Sequence, residues 1–370
     1  MKNLDSLFPG KLALQQRVLT AYRAPFFDAL AQKCEGGLSV CAGLPRPEES
    51  IAGTDQLQYA HYTSIENIHL LGGAFYLCFQ PGLPAWLEAR NPDVLIVEAN
   101  PRYLATPAAV QWMKNRGRPV LGWGLGAPPV AGTFSSLRKS RRLSFLQSFE
   151  ALLTYSQRGA NEYAALGFPV DRIFVAPNAA VGRPSQPMPD RPVNADGKKC
   201  VLFVGRLQAR KRVDLLLQAC ASLPPGLQPR LVIVGDGPER NALEVLAGTV
   251  YPSAEFPGAR HGPELVNYFY MADLFVLPGT GGLAVQEAMS HGLPIIMGQG
   301  DGTNDNLVRP ENGWQILPGN LPALTETLQE AFMDAARLRS MGSESYRIVA
   351  EEVNLETMVA VFVKALNSLK

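Results

Sequence analysis

The sequence is poor in the residues that mark metal sites and disulfide frameworks. Among its 370 residues are five cysteines, none in a Cys-x-x-Cys pair, and four histidines without ligand spacing. Most of the cysteines lie in apolar runs, which favours buried free thiols in a reducing compartment. The sequence therefore indicates no metal and no cofactor of the protein's own.

Strong charge and long apolar runs are also missing. The formal net charge is +1, which gives no reason to expect nucleic acid as a partner. No window approaches the roughly 18 uninterrupted apolar residues of a membrane-spanning helix. The first residues lack the charged start and long apolar core of a signal peptide, so we expect a cytoplasmic protein.

The length and the apolar pattern predict two domains, because single cores stop growing near about 250–300 residues. Short apolar runs alternate with amphipathic segments, which is typical of doubly wound parallel sheets. Residues 182–198 are proline-rich without apolar periodicity and predict a linker. We expect one Rossmann-like domain in residues 1–181, a second in residues 199–354, and a terminal amphipathic helix at residues 355–370.

The most informative stretch is residues 273–297, DLFVLPGTGGLAVQEAMSHGLPIIM. It predicts a strand, a glycine-rich loop, a helix and a second strand, with the loop at the carboxyl end of a parallel strand. Glycines let the backbone approach a ligand, and a helix N-terminus favours a phosphate. Glu287, one turn into the helix, is placed to accept two ribose hydroxyls. The alternative is an exposed acid that stabilises the first helical turn.

Two cations follow an earlier apolar strand, Val201–Val204. Arg206 and Lys211 flank the turn after it, five residues apart. At the carboxyl end of a parallel strand, such a pair can converge on a diphosphate. A solvated loop in a Lys/Arg-rich stretch is an equal alternative from spacing alone.

Together, six motifs resemble the retaining nucleotide-sugar transferases of glycosyltransferase family 4, which have the GT-B fold. The motifs are, in chain order, Val201-Leu-Phe-Val-Gly-Arg206, Lys211, Leu231-Val-Ile-Val-Gly-Asp-Gly-Pro238, Phe256-Pro-Gly258, Met271-Ala-Asp-Leu-Phe-Val-Leu-Pro278 and the glycine loop before Glu287-Ala-Met. The resemblance covers residues 150–320 well and the first 150 weakly. It implies two Rossmann-like α/β domains that face each other across a cleft, with the C-terminal helix crossing back to the first domain.

The resemblance also implies a reaction, namely retaining, metal-independent transfer of a sugar from a nucleotide-diphosphate sugar. The acceptor would be a bacterial glycan, a lipid-linked saccharide or a small molecule, presented by the first domain. Arg206 and Lys211 would be the catalytic cations that grip the donor diphosphate, and Glu287 would bind the ribose. The rest of the implied donor site is Gly205, Gly258, Gly279, Thr280, Gly281, Gly282 and Leu283.

Gly279 departs from the family pattern, which usually has a glutamate here that contacts the donor sugar. Backbone amides of the loop remain, but one sugar contact is missing. A catalytically silent sugar-nucleotide-binding paralogue is therefore one open alternative. A nucleotide-sugar epimerase of the same fold, which would act without an acceptor, is another. Asp301 and Asp305 follow the last core strand, and either touch the donor sugar or belong to a surface turn.

Candidate residues in the first domain lie at strand ends, where an open sheet binds its ligands. The predicted acceptor side consists of Arg17, Tyr22, Arg23, Glu98 and Arg102. Members of the family that the chain resembles often have a histidine after the strand that corresponds to residues 119–123. None stands here, so no general base is assigned. Residues 136–146 place four cations among apolar residues, which is typical of a solvated helix face or of a helix on an anionic membrane surface.

Overall fold

The computed structural model describes residues 6–49, 51–129, 132, 135–190, 197–300 and 307–369. Contacts divide the chain into two compact units. The first consists of Met1–Ala180 together with Leu355–Lys370, and the second of Val181–Asn354.

Strands and helices alternate through both units. The strands are β1 Leu12–Val18, β2 Leu38–Gly43, β3 His61–Ser64, β4 Ile68–Leu70, β5 Leu77–Phe79, β6 Val94–Glu98, β7 Val120–Gly124, β8 Ala151–Thr154, β9 Ile173–Val175, β10 Cys200–Val204, β11 Arg230–Val234, β12 Glu255–Gly258, β13 Leu274–Leu277, β14 Ile295–Gly298 and β15 Gly313–Ile316. The helices are α1 Ala24–Ala31, α2 Leu83–Arg90, α3 Thr106–Lys114, α4 Ser135–Leu146, α5 Gln157–Leu166, α6 Val213–Ser222, α7 Arg240–Val250, α8 Gly262–Met271, α9 Ala284–Ser290, α10 Leu321–Met333, α11 Ala335–Glu351 and α12 Leu355–Asn367.

The first unit has a seven-stranded parallel sheet in the order β3-β2-β1-β6-β7-β8-β9. Strands β6, β7 and β8 are apolar along most of their length because helices cover both faces, whereas β1 contains the buried Gln15 and Gln16. The order reverses between β1 and β6, so the loops after these two strands diverge to opposite sides and leave a crevice at the carboxyl edge. A separate antiparallel hairpin, β4-β5, follows β3.

The terminal helix α12 packs against α1, β8 and β9. Met358, Phe362 and Leu366 lie in one apolar core with residues of β1, β2 and α1. The predicted fold is thus confirmed in its two doubly wound sheets and in the helix that returns to the first.

The second unit has a six-stranded parallel sheet in the order β12-β11-β10-β13-β14-β15. Counted within the unit, this is the 3-2-1-4-5-6 order of dinucleotide-binding folds, which bind ligands where the order reverses. That point lies between β10 and β13. In the described part of the chain, no helix has the length and apolar character to cross a membrane.

Candidate functional site

Loops of the second unit pack directly on one another at the carboxyl edge of its sheet. Gly235 N donates to Gly258 O at 3.0 Å, and Gly205 N donates to Val234 O at 3.0 Å. Gly235 has φ +151°, and a Cβ added there would lie 1.9 Å from Gly205 O. Only glycine permits this approach, so the predicted residues Gly205 and Gly258 are part of the scaffold of the edge.

A network of hydrogen bonds fastens the loop after β13 to the turn after β10. Thr280 N donates to Arg210 O at 3.1 Å. In return, Lys211 Nζ donates to Thr280 O at 2.9 Å and to Gly281 O at 3.0 Å. Arg210 Nη1 also donates to Thr280 O, at 3.1 Å. The structure therefore brings Lys211 together with the predicted glycine loop at the point where the strand order reverses.

Lys211 is a buried cation with a relative exposure of 6%. Burial and, to a smaller extent, the neighbouring charge of Arg210 lower the pKa of its ammonium to about 8. No carboxylate of the described residues forms an ion pair with it. Since an ammonium has three donors and two meet carbonyls, one remains for an anion.

Gly279 is enclosed by the chain itself. A Cβ at this position would lie 2.0 Å from Arg210 O and 2.6 Å from Lys211 Cα. Any side chain here, glutamate included, requires the backbone of the β10 turn to move. The close approach that this glycine permits is therefore between two loops, whereas the sequence suggested an approach to a ligand.

The remaining loop residues lead into α9. Gly282 O accepts from Val285 N at 3.3 Å, and Leu283 O accepts from Gln286 N at 3.0 Å. Leu283 is the N-cap residue of α9 and provides no side-chain cap. The amides of Val285 and Gln286 therefore already have carbonyl acceptors in the first turn of this seven-residue helix.

Glu287 is the fourth residue of α9 and is half-buried. Burial raises the pKa of its carboxyl group, and the charge of His261 opposes this shift. His261 is the N-cap residue of α8. No ion pair to Glu287 exists within the described residues, which leaves its carboxylate able to accept hydroxyl donors.

Of the other predicted donor residues, one follows Gly205 at this edge without joining the hydrogen-bond network, and two lie beyond what the structure describes. Arg206 is exposed and makes no side-chain hydrogen bond or ion pair with a described residue. Asp301 and Asp305 lie outside the described residues. Arg210 and His261 were not among the predicted site residues, although Arg210 stands in the same Lys/Arg-rich stretch.

The candidate residues of the first unit gather around Glu98. Its carboxylate accepts a hydrogen bond from Arg17 N. Burial raises the pKa of Glu98 to about 7, against the opposing charges of Arg17 and Arg23. Arg17 Nη1 in turn donates to Glu49 Oε2 at 2.8 Å, a partner that the sequence did not reveal.

Arg23 and Tyr22 are neighbours in a short 3-10 helix, Ala21–Arg23, after β1. The guanidinium of Arg23 lies over the Tyr22 ring, 5.1 Å from its centroid. Arg102 is exposed, and the described residues accept no hydrogen bond from its side chain. The structure therefore brings four of the five predicted acceptor residues into one neighbourhood and leaves Arg102 outside it.

Within the described residues, no three His, Cys, Asp or Glu side chains are grouped closely enough to hold a metal ion.

Comparison with known proteins agrees with this geometry. The family described as Glycosyl transferases group 1 matches residues 186–348. A GDP-mannose-dependent alpha-mannosyltransferase of Mycobacterium tuberculosis (strain CDC 1551 / Oshkosh) is 38% identical over 169 residues, 43% of this chain and 42% of that protein. A GDP-mannose-dependent alpha-(1-6)-phosphatidylinositol monomannoside mannosyltransferase of Mycolicibacterium smegmatis is 27% identical over 243 residues, 60% of this chain and 61% of that protein. The chain thus spans less than two thirds of the length of these relatives.

Solved structures resemble the whole chain. Anabaena Alr3699/HepE in complex with UDP has a TM-score of 0.69 to it, at 17% identity, over 97% of this chain and 100% of that one. At this identity the likeness shows a shared fold.

Proposed function

Because the chain belongs to the glycosyl transferases group 1 family, we propose that it is a retaining glycosyltransferase that uses a nucleotide-diphosphate sugar. Family membership confirms the resemblance drawn from the motifs. The observation that carries the proposal is the junction of Lys211 with the Thr280 and Gly281 carbonyls. It sets a buried ammonium beside a glycine loop, and this positive charge favours a diphosphate.

In the proposed reaction the bond from the sugar's anomeric carbon to the diphosphate breaks, and a bond to the acceptor oxygen forms on the same face. The acceptor's proton passes to the leaving diphosphate, so no protein base is required. Lys211 and Arg206 stabilise the negative charge that grows on the diphosphate. The relatives' names include GDP-mannose and the solved neighbour holds UDP, so GDP- and UDP-sugars are the first donors to test.

The first test concerns ribose recognition by Glu287. Replacing Glu287 with Ala removes a charged acceptor of two hydroxyl hydrogen bonds, and we expect a loss of about 1.5–3 kcal/mol in GDP or UDP binding. Calorimetric titration measures it. Glu264→Ala, an exposed acid in the first turn of α8, is the matched control and should bind the nucleotide normally. If Glu287→Ala binds the nucleotide within twofold of wild type, Glu287 does not bind the ribose.

Turnover separates the proposal from its alternatives. Wild type should transfer sugar from one donor of a GDP- and UDP-sugar panel, with little change in the presence of EDTA. Tight nucleotide binding without transfer or hydrolysis would favour the silent paralogue. Isomerisation of the donor without an acceptor would favour an epimerase.

The acceptor side of the proposal includes a peripheral membrane contact through α4. Lys139 and Arg141 are exposed on this helix, and Leu137 beside them is 51% exposed. A basic helix with an exposed apolar side chain suits an anionic membrane surface. This position would bring the protein to a lipid-linked acceptor, and the cytoplasmic location expected from the sequence belongs to the same proposal.

Charge reversal tests the membrane contact. Each cation near an anionic surface contributes about 1 kcal/mol, so Lys139→Glu with Arg141→Glu should weaken vesicle binding by roughly 30-fold or more. The measurement is co-sedimentation with vesicles that contain phosphatidylserine. Lys114→Glu with Arg158→Glu changes the net charge equally at exposed positions elsewhere in the unit. Equal losses in both double variants would mean that α4 is not the contact.

A further inference from the structure

The first unit contains an arginine that is buried without a carboxylate. Arg23 has a relative exposure of 5%. Its side chain makes one hydrogen bond within the described residues, from Nη1 to Met358 Sδ at 3.7 Å, and no ion pair. A guanidinium has five N–H donors, so most of them have no acceptor.

Three aromatic rings surround this charge. The guanidinium carbon lies 5.1 Å from each of the ring centroids of Tyr22, Trp123 and Tyr155. Ring faces attract a cation, but they do not replace the directed hydrogen bonds that its N–H groups lose on burial. The aromatic box therefore orients the guanidinium and leaves its donors unused.

Neighbouring groups add to the excess of donors. Trp123 Nε1 and Thr20 Oγ1 are enclosed and have no hydrogen-bond partner in the described part of the chain. Arg23 N donates to Thr20 O at 2.9 Å, so Thr20 and Arg23 share one turn. Such a group of unsatisfied donors calls for an acceptor that the described residues do not provide.

Glu98 does not fill this role. Its carboxylate already accepts from Arg17 N, and it forms no ion pair with Arg23. Arg23 Nε and Nη2 are not among the enclosed atoms without a partner, so they keep contact with solvent. A ligand can therefore reach the guanidinium.

We propose that Arg23 binds an oxyanion group, a phosphate or a carboxylate, on the sugar acceptor. The proposal rests on the proposed transferase function, because it names the chemistry of the acceptor. The planar fork of arginine matches both groups with two parallel hydrogen bonds. The position fits, since Arg23 follows β1 at the edge where the strand order reverses.

The experiment titrates the full-length chain, without donor, against glucose 6-phosphate, glucuronate, inorganic phosphate and glucose at constant ionic strength. Tryptophan fluorescence and calorimetry report binding, and Trp123→Phe assigns the fluorescence change to the box. We expect at least one of the two anionic sugars to bind tenfold or more tightly than glucose. A preference for glucose 6-phosphate over inorganic phosphate would identify a sugar-borne anion. Equal binding of both would mean a site for the free anion and overturn the acceptor assignment.

Variants separate binding from packing. Arg23→Met keeps an unbranched apolar stem in the aromatic box and should weaken the anionic sugar ten- to a hundredfold. Arg23→Lys should recover part of that loss. Arg116→Met is the matched control, because Arg116 stacks on Trp112 at 3.8 Å but is paired with Glu88. It should bind anions as wild type does.

Two further results overturn the inference: glucose and the anionic sugars bind wild type equally, or a folded Arg23→Met variant keeps wild-type affinity for the anion. The first comparison needs no variant, so it holds even if Arg23→Met does not fold. Nucleotide binding is measured in parallel. Anion binding at Arg23 without any donor use would contradict the proposed function and leave the anion site standing. Donor use without a preference for the anionic sugars would support the proposed function and contradict the anion site.

Discussion

Lys211 combines a positive charge with burial, and this decides how the site responds to pH. Its pKa of about 8 lies below the ordinary 10.5, because burial penalises the charged form. The folded chain thus releases this proton before the unfolded chain does. Between about pH 8 and 10.5 the unfolded state binds more protons, so stability contributed by this group rises with pH. Donor binding should instead weaken as the pH rises above about 8, because the diphosphate binds the charged ammonium.

We expect kcat/KM for the donor to fall about tenfold per pH unit above pH 8, since this quantity reports ionisations of the free enzyme. In Lys211→Arg the guanidinium stays charged, so this decrease should disappear below pH 10 while the rate at pH 7 is reduced by altered geometry. Initial rates from pH 6 to 10 measure both. The same decrease in the variant would assign the titration to another group.

Residue types were easier to predict than their environments. The motifs singled out Arg206 and Lys211 together, but nothing in the spacing shows that one is exposed and the other buried. That difference depends on carbonyls of Thr280 and Gly281, about seventy positions away in the chain. Arg23 was predicted to be an acceptor-side residue because it lies at a strand end. Its aromatic box brings together the turn after β1, β7 and the end of β8, which no local pattern reveals.

At the scale of elements, the loop after β13 depends on Gly279. Gly279→Ala would force a Cβ against the Arg210 carbonyl, and we expect a loss of about 1–3 kcal/mol from overpacking. Urea unfolding measures it, and donor affinity should fall with it. Gly248→Ala, in α7 with nothing within 4 Å of the added Cβ, should instead stabilise by about 0.5–1 kcal/mol. Equal effects of the two changes would contradict the enclosed position of Gly279.

Elements with strong apolar patterns were predicted well. The predicted strand Val201–Val204 corresponds to β10, and the strand and helix predicted within residues 273–297 correspond to β13 and α9, because buried strands and amphipathic helices leave clear signals. Residues 44–93 were not resolved into elements from the sequence. There β3 is polar and half-exposed, and α2 buries only Leu83, Trp86 and Leu87. Partly exposed elements lack the periodicity on which such predictions depend.

At the scale of the whole molecule, the first unit's core depends on a helix distant in the chain. Phe362 of α12 is fully buried, with its ring 4.9 Å from the rings of both Phe26 and Trp123. Truncating such a side chain leaves a cavity that the surrounding structure fills only in part.

We expect Phe362→Ala to cost about 3–5 kcal/mol and to act on the first unit. Hydrogen exchange should show lost protection in β1, β7 and β8, with β10 to β14 unchanged. Phe269→Ala, in the core of the second unit, is the mirror-image control. If either change lowers protection equally in both units, the two cores unfold as one.

The return of α12 to the first unit also sets the order of events on the ribosome. Residues 181–354 emerge between the two parts of the first core. At a synthesis rate of about 5–20 residues per second, roughly ten to thirty-five seconds pass between the synthesis of β9 and that of α12. The second unit is continuous in the chain, so we expect it to mature first, against the usual direction of synthesis. During this delay the nascent chain exposes the apolar surface that α12 later covers, which makes it a client for chaperones.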